Sequence, residues 1–451
     1  MAQQLDLVIS GGTLVTSRGR RTADIGVAGE RIARIAEPGS AGGASEVVDA
    51  SGLLVLPGLI DAHVHFRQPG LEHEEDWQSG SRAGVHGGVT TVLEMPNTLP
   101  PTQTVEAARA KLALAERSAH CDFGILGLLG DNAARVAELA ASGLVVGLKA
   151  FLGPTTGELP RPTDYELRGG LEAVARAGLR VVFHAEDAAL VGAATARQRA
   201  MQRDEARAHL DGRPAAAEAA AIERIGRLLA DTAARGHVAH LTSAEGLAAV
   251  ERWRAAGADL TCEVTPHHLL LGLDAYERFG GMAKVNPPIR GEPHASALLA
   301  ALVDGRIDSL ASDHAPHREA DKRAASVWAV PAGFAGVETL LPLMLTEVAA
   351  GRLTMEQLVR ATSERPAQAF GLWPRKGSLE VGGDADLVLV DQARGGVIRA
   401  AELHGRSNAS PWEGRATVGA PTATIVRGRI VVRDGELLAA PGWGRPVSRG
   451  G

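Results

Sequence analysis

The sequence predicts an α/β protein: a (β/α)8 barrel with a small β-sandwich domain built from both chain ends. Eight strand-like apolar runs alternate with amphipathic stretches through the middle of the chain. Strand-and-turn patterns fill the two ends. Metal-binding residue types stand at the C-terminal ends of several central runs, where such barrels place their chemistry.

The eight runs span residues 53–65, 90–95, 122–129, 145–152, 180–185, 237–242, 259–264 and 307–312. Helical stretches lie between them, for example 105–119, 215–234 and 244–256. Ahead of the barrel, Leu7-Val8-Ile9 leads to a Gly11-Gly12 turn and then Thr13-Leu14-Val15-Thr16. Residues 23–27 and 31–35 alternate as strands do. Beyond the barrel, 386–391 and 423–432 are strand-like, and Asp434-Gly435 closes the second run. The expected organisation is a small β domain from 1–55 plus 376–440 and a barrel over 56–375. A disordered Gly- and Pro-rich tail is expected over 441–451.

The chain has 451 residues, 45% hydrophobic and 22% charged, which suffices for a sizeable core. Acidic residues (53) outnumber basic ones (47), so no global positive field invites nucleic acid. Two cysteines without pairing pattern or zinc-finger spacing fit a reducing compartment. The N-terminus lacks a secretory pattern and no apolar run approaches about 20 residues. The expectation is a cytoplasmic protein acting on a small molecule, with neither membrane nor nucleic-acid partner.

Asp61-Ala62-His63-Val64-His65-Phe66-Arg67 ends the first barrel strand. Side chains two apart on a strand share a face, so His63 and His65 can converge on one cation. Alone, the pair is a weak sign. Lys149, His184, His240 and Asp313 then end the fourth, fifth, sixth and eighth strands. Each has a bland reading: a core histidine, a turn or helix-capping aspartate, a stray buried lysine. Five strand ends carrying such residues together point to a metal centre.

These residues resemble the amidohydrolase superfamily, and within it the dihydroorotase, allantoinase and hydantoinase branch. The resemblance covers nearly the whole chain, from the N-terminal strands through Pro57-Gly58-Leu59-Ile60-Asp61-Ala62-His63-Val64-His65 to Gly377-Ser378-Leu379-Glu380-Val381-Gly382-Gly383-Asp384-Ala385-Asp386-Leu387. It implies two divalent metal ions, zinc first among the options. His63, His65 and Asp313 would hold one, His184 and His240 the other, and an N-carboxylated Lys149 would bridge them. It also implies Asp313 as the catalytic group, taking a proton from water and passing it to the leaving nitrogen. Relatives commonly form dimers or tetramers, which implies a homo-oligomer.

Substrate choice turns on a second set. In dihydroorotases, residues matching Arg67, Asn97 and His317 bind the ring carboxylate, and Asn286, within Lys284-Val285-Asn286-Pro287-Pro288, would face the ring. A buried Arg left unpaired by a carboxylate-free ring would be costly. The expectation is therefore dihydroorotase, with allantoinase or hydantoinase chemistry as the alternative and a metal-free scaffold as the rival from another class. Against it, Lys149 is absent from many stand-alone bacterial dihydroorotases. Gly212-Arg213-Pro214 and Ser410-Pro411-Trp412 also look more like allantoinases and hydantoinases. Arg67 has a rival partner in Glu72 or Glu74, Asn97 reads equally as a turn residue, and Arg290 as a surface residue. His267 and His268 read as supporting or core residues. Thr155-Thr156 resembles a loop that closes over substrate in relatives, although residues 153–157 read equally as an ordinary turn.

Overall fold

The computed structural model describes residues 4–155, 157 and 159–450. Five strands open the chain: β1 (Leu5–Thr16), β2 (Gly19–Ala28), β3 (Arg31–Ala36), β4 (Ala44–Asp49) and β5 (Leu54–Pro57). Eight parallel barrel strands follow: β6 (Leu59–Val64), β7 (Val89–Glu94), β8 (Asp122–Leu128), β9 (Gly147–Phe151), β10 (Arg180–His184), β11 (Arg235–Val238), β12 (Leu260–Val264) and β13 (Ser309–Leu310). They neighbour one another in chain order. A parallel bridge from Val64 to His314 joins the last to the first, and the His65 N–H donates to the His314 carbonyl at 2.8 Å. The chain then returns through β14 (Leu387–Val397), β15 (Ala416–Val426), β16 (Arg429–Arg433) and β17 (Glu436–Leu437). β14 pairs antiparallel with β5, so both chain ends form one nine-stranded sheet.

Burial explains the arrangement. Ile60, Leu93, Leu126, Val146, Val182 and Ala239, one from each of six barrel strands or their ends, fill the interior with Phe370 and Leu372. The helices pack outside over a larger apolar layer that includes Val92, Ile125, Leu148 and Val181. The terminal sheet has its own core of Leu7, Ile9, Ile25, Leu387, Leu389 and Ile425. Both cysteines are buried and free. Among the described residues, no helix is long and apolar enough to cross a membrane.

Four local expectations need correction. The run 53–65 is two strands in different sheets, separated at Gly58. A Cβ there would lie 2.1 Å from the Thr90 hydroxyl, so only glycine lets the chain pass so close. Gly11-Gly12 is not a turn but an irregularity inside β1, where the pairing with β2 shifts register. Residues 423–432 are a hairpin, reversing at Arg427 and Gly428, both in left-handed conformation (φ 47° and 76°). The tail, described through residue 450, is docked, not disordered. Gly444 N–H donates to Ala119 O, Arg445 O accepts from Phe123 N–H, and Val447 N–H donates to Phe123 O. Reading its Gly and Pro content as disorder overlooked this pairing beside β8.

The barrel and the terminal sheet meet in a buried ionic knot. Lys376 Nζ lies 2.5 Å from Asp122, 2.9 Å from Asp384 and 2.7 Å from Asp386. Arg427 Nε adds a contact to Asp122 at 3.0 Å. The three carboxylates are close enough to hold a cation, but the Lys376 ammonium already supplies the positive charge.

Candidate metal centre

The first barrel strand must turn its histidines inward. Ile60 and Ala62 belong to the interior cluster, whereas Val64 and Phe66 belong to the outer layer. The register of β6 against β7 slips between Asp61 and Val64. That slip lets odd-numbered His63 and His65 continue the inward side that even-numbered residues hold below. Asp61 fixes the bend: its Oδ1 accepts from the N–H groups of His63 (3.2 Å) and Ser312 (3.0 Å). Burial pushes its carboxyl up to about 7. First and eighth strand ends are thereby tied together, with Asp313 beside the histidines.

Two sets of ligand atoms result. The Nε2 atoms of His63 and His65 lie 3.3 and 3.4 Å from Asp313 Oδ1, all three groups being buried. His184 Nδ1 faces His240 Nε2 at 3.0 Å. Lys149 lines the same cavity as both sets, fully buried, its Nζ without a hydrogen-bond partner. Burial pushes this amine down to about 8, with Glu263 and Asp313 opposing. A partnerless buried amine is expensive. Converted by CO2 to a carbamate, it would present two anionic oxygens to the two nitrogen-rich clusters, so the residues fit a pair of divalent cations.

Three of the candidate ligands, His63, His65 and His184, are held from behind, whereas His240 Nδ1 is buried without a hydrogen-bond partner. His63 Nδ1 contacts Glu263 Oε1 at 2.5 Å, and the other oxygen of Glu263 contacts His237 Nε2 at 3.0 Å. His65 Nδ1 donates to Asn97 Oδ1 at 2.8 Å, and His184 Nε2 donates to Glu186 Oε2 at 2.9 Å. These contacts aim the opposite ring nitrogen at the metal position. Arg213 in turn grips Glu186 and donates to Pro154 O at 2.6 Å. Burial would raise both Glu263 and Glu186, but histidine contacts, and Arg213 beside Glu186, hold them far below the usual carboxylate range. Arg67, His240 and Asp313 have left-handed backbone (φ 64°, 36° and 46°), so strain is concentrated around the ligands.

The cavity over these atoms is walled by Arg67, Asn97, Thr155, Asn286, Ala332 and Gly333 besides the ligands. Thr156 lies outside the described residues. Asn286 Oδ1 is buried there without a hydrogen-bond partner. His317 is not on this wall. It stands behind Arg67, its Nε2 3.1 Å from both Arg67 Nη2 and Ala332 O. Arg290 is buried, contacting Thr242 and the Arg213 carbonyl. His267 and His268 are buried beside the site, and His268 bridges Thr265 and Pro287 O. Sequence reasoning passed over Glu263 and Glu186, although both are carboxylates at or just past strand ends, the signal used for the ligands themselves.

The chain is similar to known proteins over nearly its whole length. Over residues 54–431 the chain matches the model of the amidohydrolase family. It is 42% identical to a dihydroorotase of Halobacterium salinarum, over 93% of this chain and 95% of that one. It is 39% identical to an allantoinase of Rubrobacter xylanophilus, over 97% and 96%. Among solved structures, an L-hydantoinase from Arthrobacter aurescens superposes with a TM-score of 0.96 at 33% identity, covering 99% of this chain and 100% of that one. Fold, ligand arrangement and sequence match thus converge: the chain belongs to the amidohydrolase family.

Proposed function

We propose that the protein is a dihydroorotase, hydrolysing the ring amide of L-dihydroorotate reversibly to N-carbamoyl-L-aspartate. The observation that carries this reading is Arg67, a guanidinium 1% exposed that nevertheless lines the cavity beside the ligand set. A buried arginine at a substrate wall suits a carboxylate, which its fork can clasp. Asn97 stands on the same wall, and its Oδ1 is taken by His65, leaving the amide N–H groups to donate. Asn286 Oδ1 is placed to accept from a ring N–H.

His63, His65 and Asp313 would hold one divalent cation, His184 and His240 a second, and carboxylated Lys149 both; zinc suits this donor set. Bound there, the pair would acidify water and polarise the ring carbonyl. Asp313 then takes the proton of the attacking water and delivers it to the departing ring nitrogen. Asp313 is suited to that transfer by position, its Oδ1 lying 3.3 and 3.4 Å from the Nε2 atoms of His63 and His65 at the floor of the cavity. Arg67 and Asn97 fix the ring by its carboxylate.

One observation favours a carboxylate-free ring such as allantoin or a hydantoin. Glu74 already lies 3.3 Å from Arg67 Nε, so Arg67 has a counter-charge without substrate. Replacing Arg67 by Ala separates the readings. For a dihydroorotase the expected loss in kcat/KM is at least about a thousandfold, because a charge-assisted clasp is removed inside a buried site. A loss below about tenfold would favour the carboxylate-free ring.

A further inference from the structure

Arg67 is backed by a closed set of contacts that the reaction itself does not call for. The loop after β6 curls back on itself. Leu71 N–H donates to Arg67 O at 3.2 Å, and Glu74 N–H donates to Leu71 O at 2.9 Å. This brings Glu74 behind the arginine, while Glu72 turns away to accept from Gly70 N–H. Glu74 Oε2 lies 3.3 Å from Arg67 Nε, and Glu74 Oε1 accepts from His317 Nδ1 at 2.8 Å. His317 Nε2 then accepts from Arg67 Nη2 at 3.1 Å. Neither Glu74 nor His317 lines the cavity, whereas Arg67 does.

We infer that Glu74 is a specificity-determining positioning residue, which acts partly through His317 to hold Arg67 in the arrangement that receives a ring carboxylate. The inference rests on the dihydroorotate reading. An arginine side chain has many rotamers, and fixing it before substrate arrives removes an ordering cost from binding. Glu74 does this by hydrogen bonding at Nη2 through His317, and by charge alone at Nε, which has no hydrogen-bond partner. Among the described residues no hydrogen bond takes the Nη1 hydrogens, so these and one on Nη2 can meet a substrate. Glu74 also balances the buried guanidinium when no substrate is present, so Arg67 can stay on the wall of an empty cavity. Its effect should fall on binding of the carboxylate and not on the chemical step, since it touches neither the ligand set nor the reacting amide.

The test compares wild type, Glu74→Ala and Glu74→Gln, all zinc-loaded, with L-dihydroorotate as substrate. Metal content and melting temperature are recorded for each protein. Glu74 is partly exposed in a loop, and both variants should fold and hold metal as wild type does. The expected result for Glu74→Ala is a KM raised at least tenfold with kcat within threefold. Glu74→Gln keeps an amide oxygen for His317 and should give an intermediate KM. An unchanged KM in Glu74→Ala overturns the inference, as does a fall in kcat without a change in KM or a loss of bound metal. If wild type hydrolyses allantoin and not dihydroorotate, the substrate reading fails and this inference falls with it. If wild type hydrolyses dihydroorotate and Glu74→Ala behaves identically, this inference alone fails.

Discussion

At the residue scale, the site depends on contacts one step removed from the ligands. Glu263 serves two histidines at once, and its charge is held far down in pH by them. In Glu263→Gln the amide can still touch both rings, but the anion that strengthens His63 as a ligand is gone. Metal affinity should fall about 10–100-fold with the fold intact. Competition with a chelator measures this directly; unchanged affinity would show that Glu263 serves packing only. Asn97 carries two duties, since its oxygen orients His65 while its N–H groups face the cavity. A loss of activity in an Asn97 variant therefore says little about substrate unless metal content is measured as well.

At the element scale, strand ends made the candidate ligand set legible. His63, His65, Lys149, His184, His240 and Asp313 each sit at or just past a barrel strand, and alternation plus apolar runs locate such strands from sequence. Glu263 and Glu186 carried the same strand-end signal, but which residue a distant carboxylate serves is not legible in that way. Glu263 acts on a histidine 200 residues away, and Glu74 on one 243 away. No local pattern encodes such a meeting; only barrel closure creates it. The inward turn of His63 likewise depends on a register slip that strict alternation does not contain. Composition misled at the tail. Trp443 packs against the Arg427 and Arg429 guanidiniums, 4.6 and 4.9 Å from its ring, and its Nε1 donates to Val426 O at 3.1 Å. Trp443→Ala should therefore cost about 2 kcal/mol, below the range for a fully buried tryptophan because this one is half-buried. Denaturant unfolding would show it, and no change would mean that the tail contributes no stability.

At the scale of the whole molecule, the Lys376 knot joins barrel and terminal sheet. Burial raises Asp122, but the charges of Lys376 and Arg427 outweigh it and leave the carboxyl below its ordinary value. Its stabilising share is present above about pH 4 and is lost as pH falls through the lowered value. Burial keeps Asp386 above its ordinary value despite Lys376, so its share has the opposite sign and is lost as pH rises. Replacing Lys376 by Met leaves three buried carboxylates with too little counter-charge. The cost should be about 3–5 kcal/mol at pH 8. It should shrink toward pH 5, where carboxylates of raised pKa regain protons. Melting curves across that range test this, and a cost independent of pH would contradict it.

The central claim concerns which ring enters the cavity. Its most direct test is hydrolysis of L-dihydroorotate and of allantoin, side by side, by the zinc-loaded protein. The expected result is turnover of dihydroorotate with none of allantoin. Turnover of allantoin alone would contradict the claim, while leaving the family, the barrel and the ligand geometry as they stand.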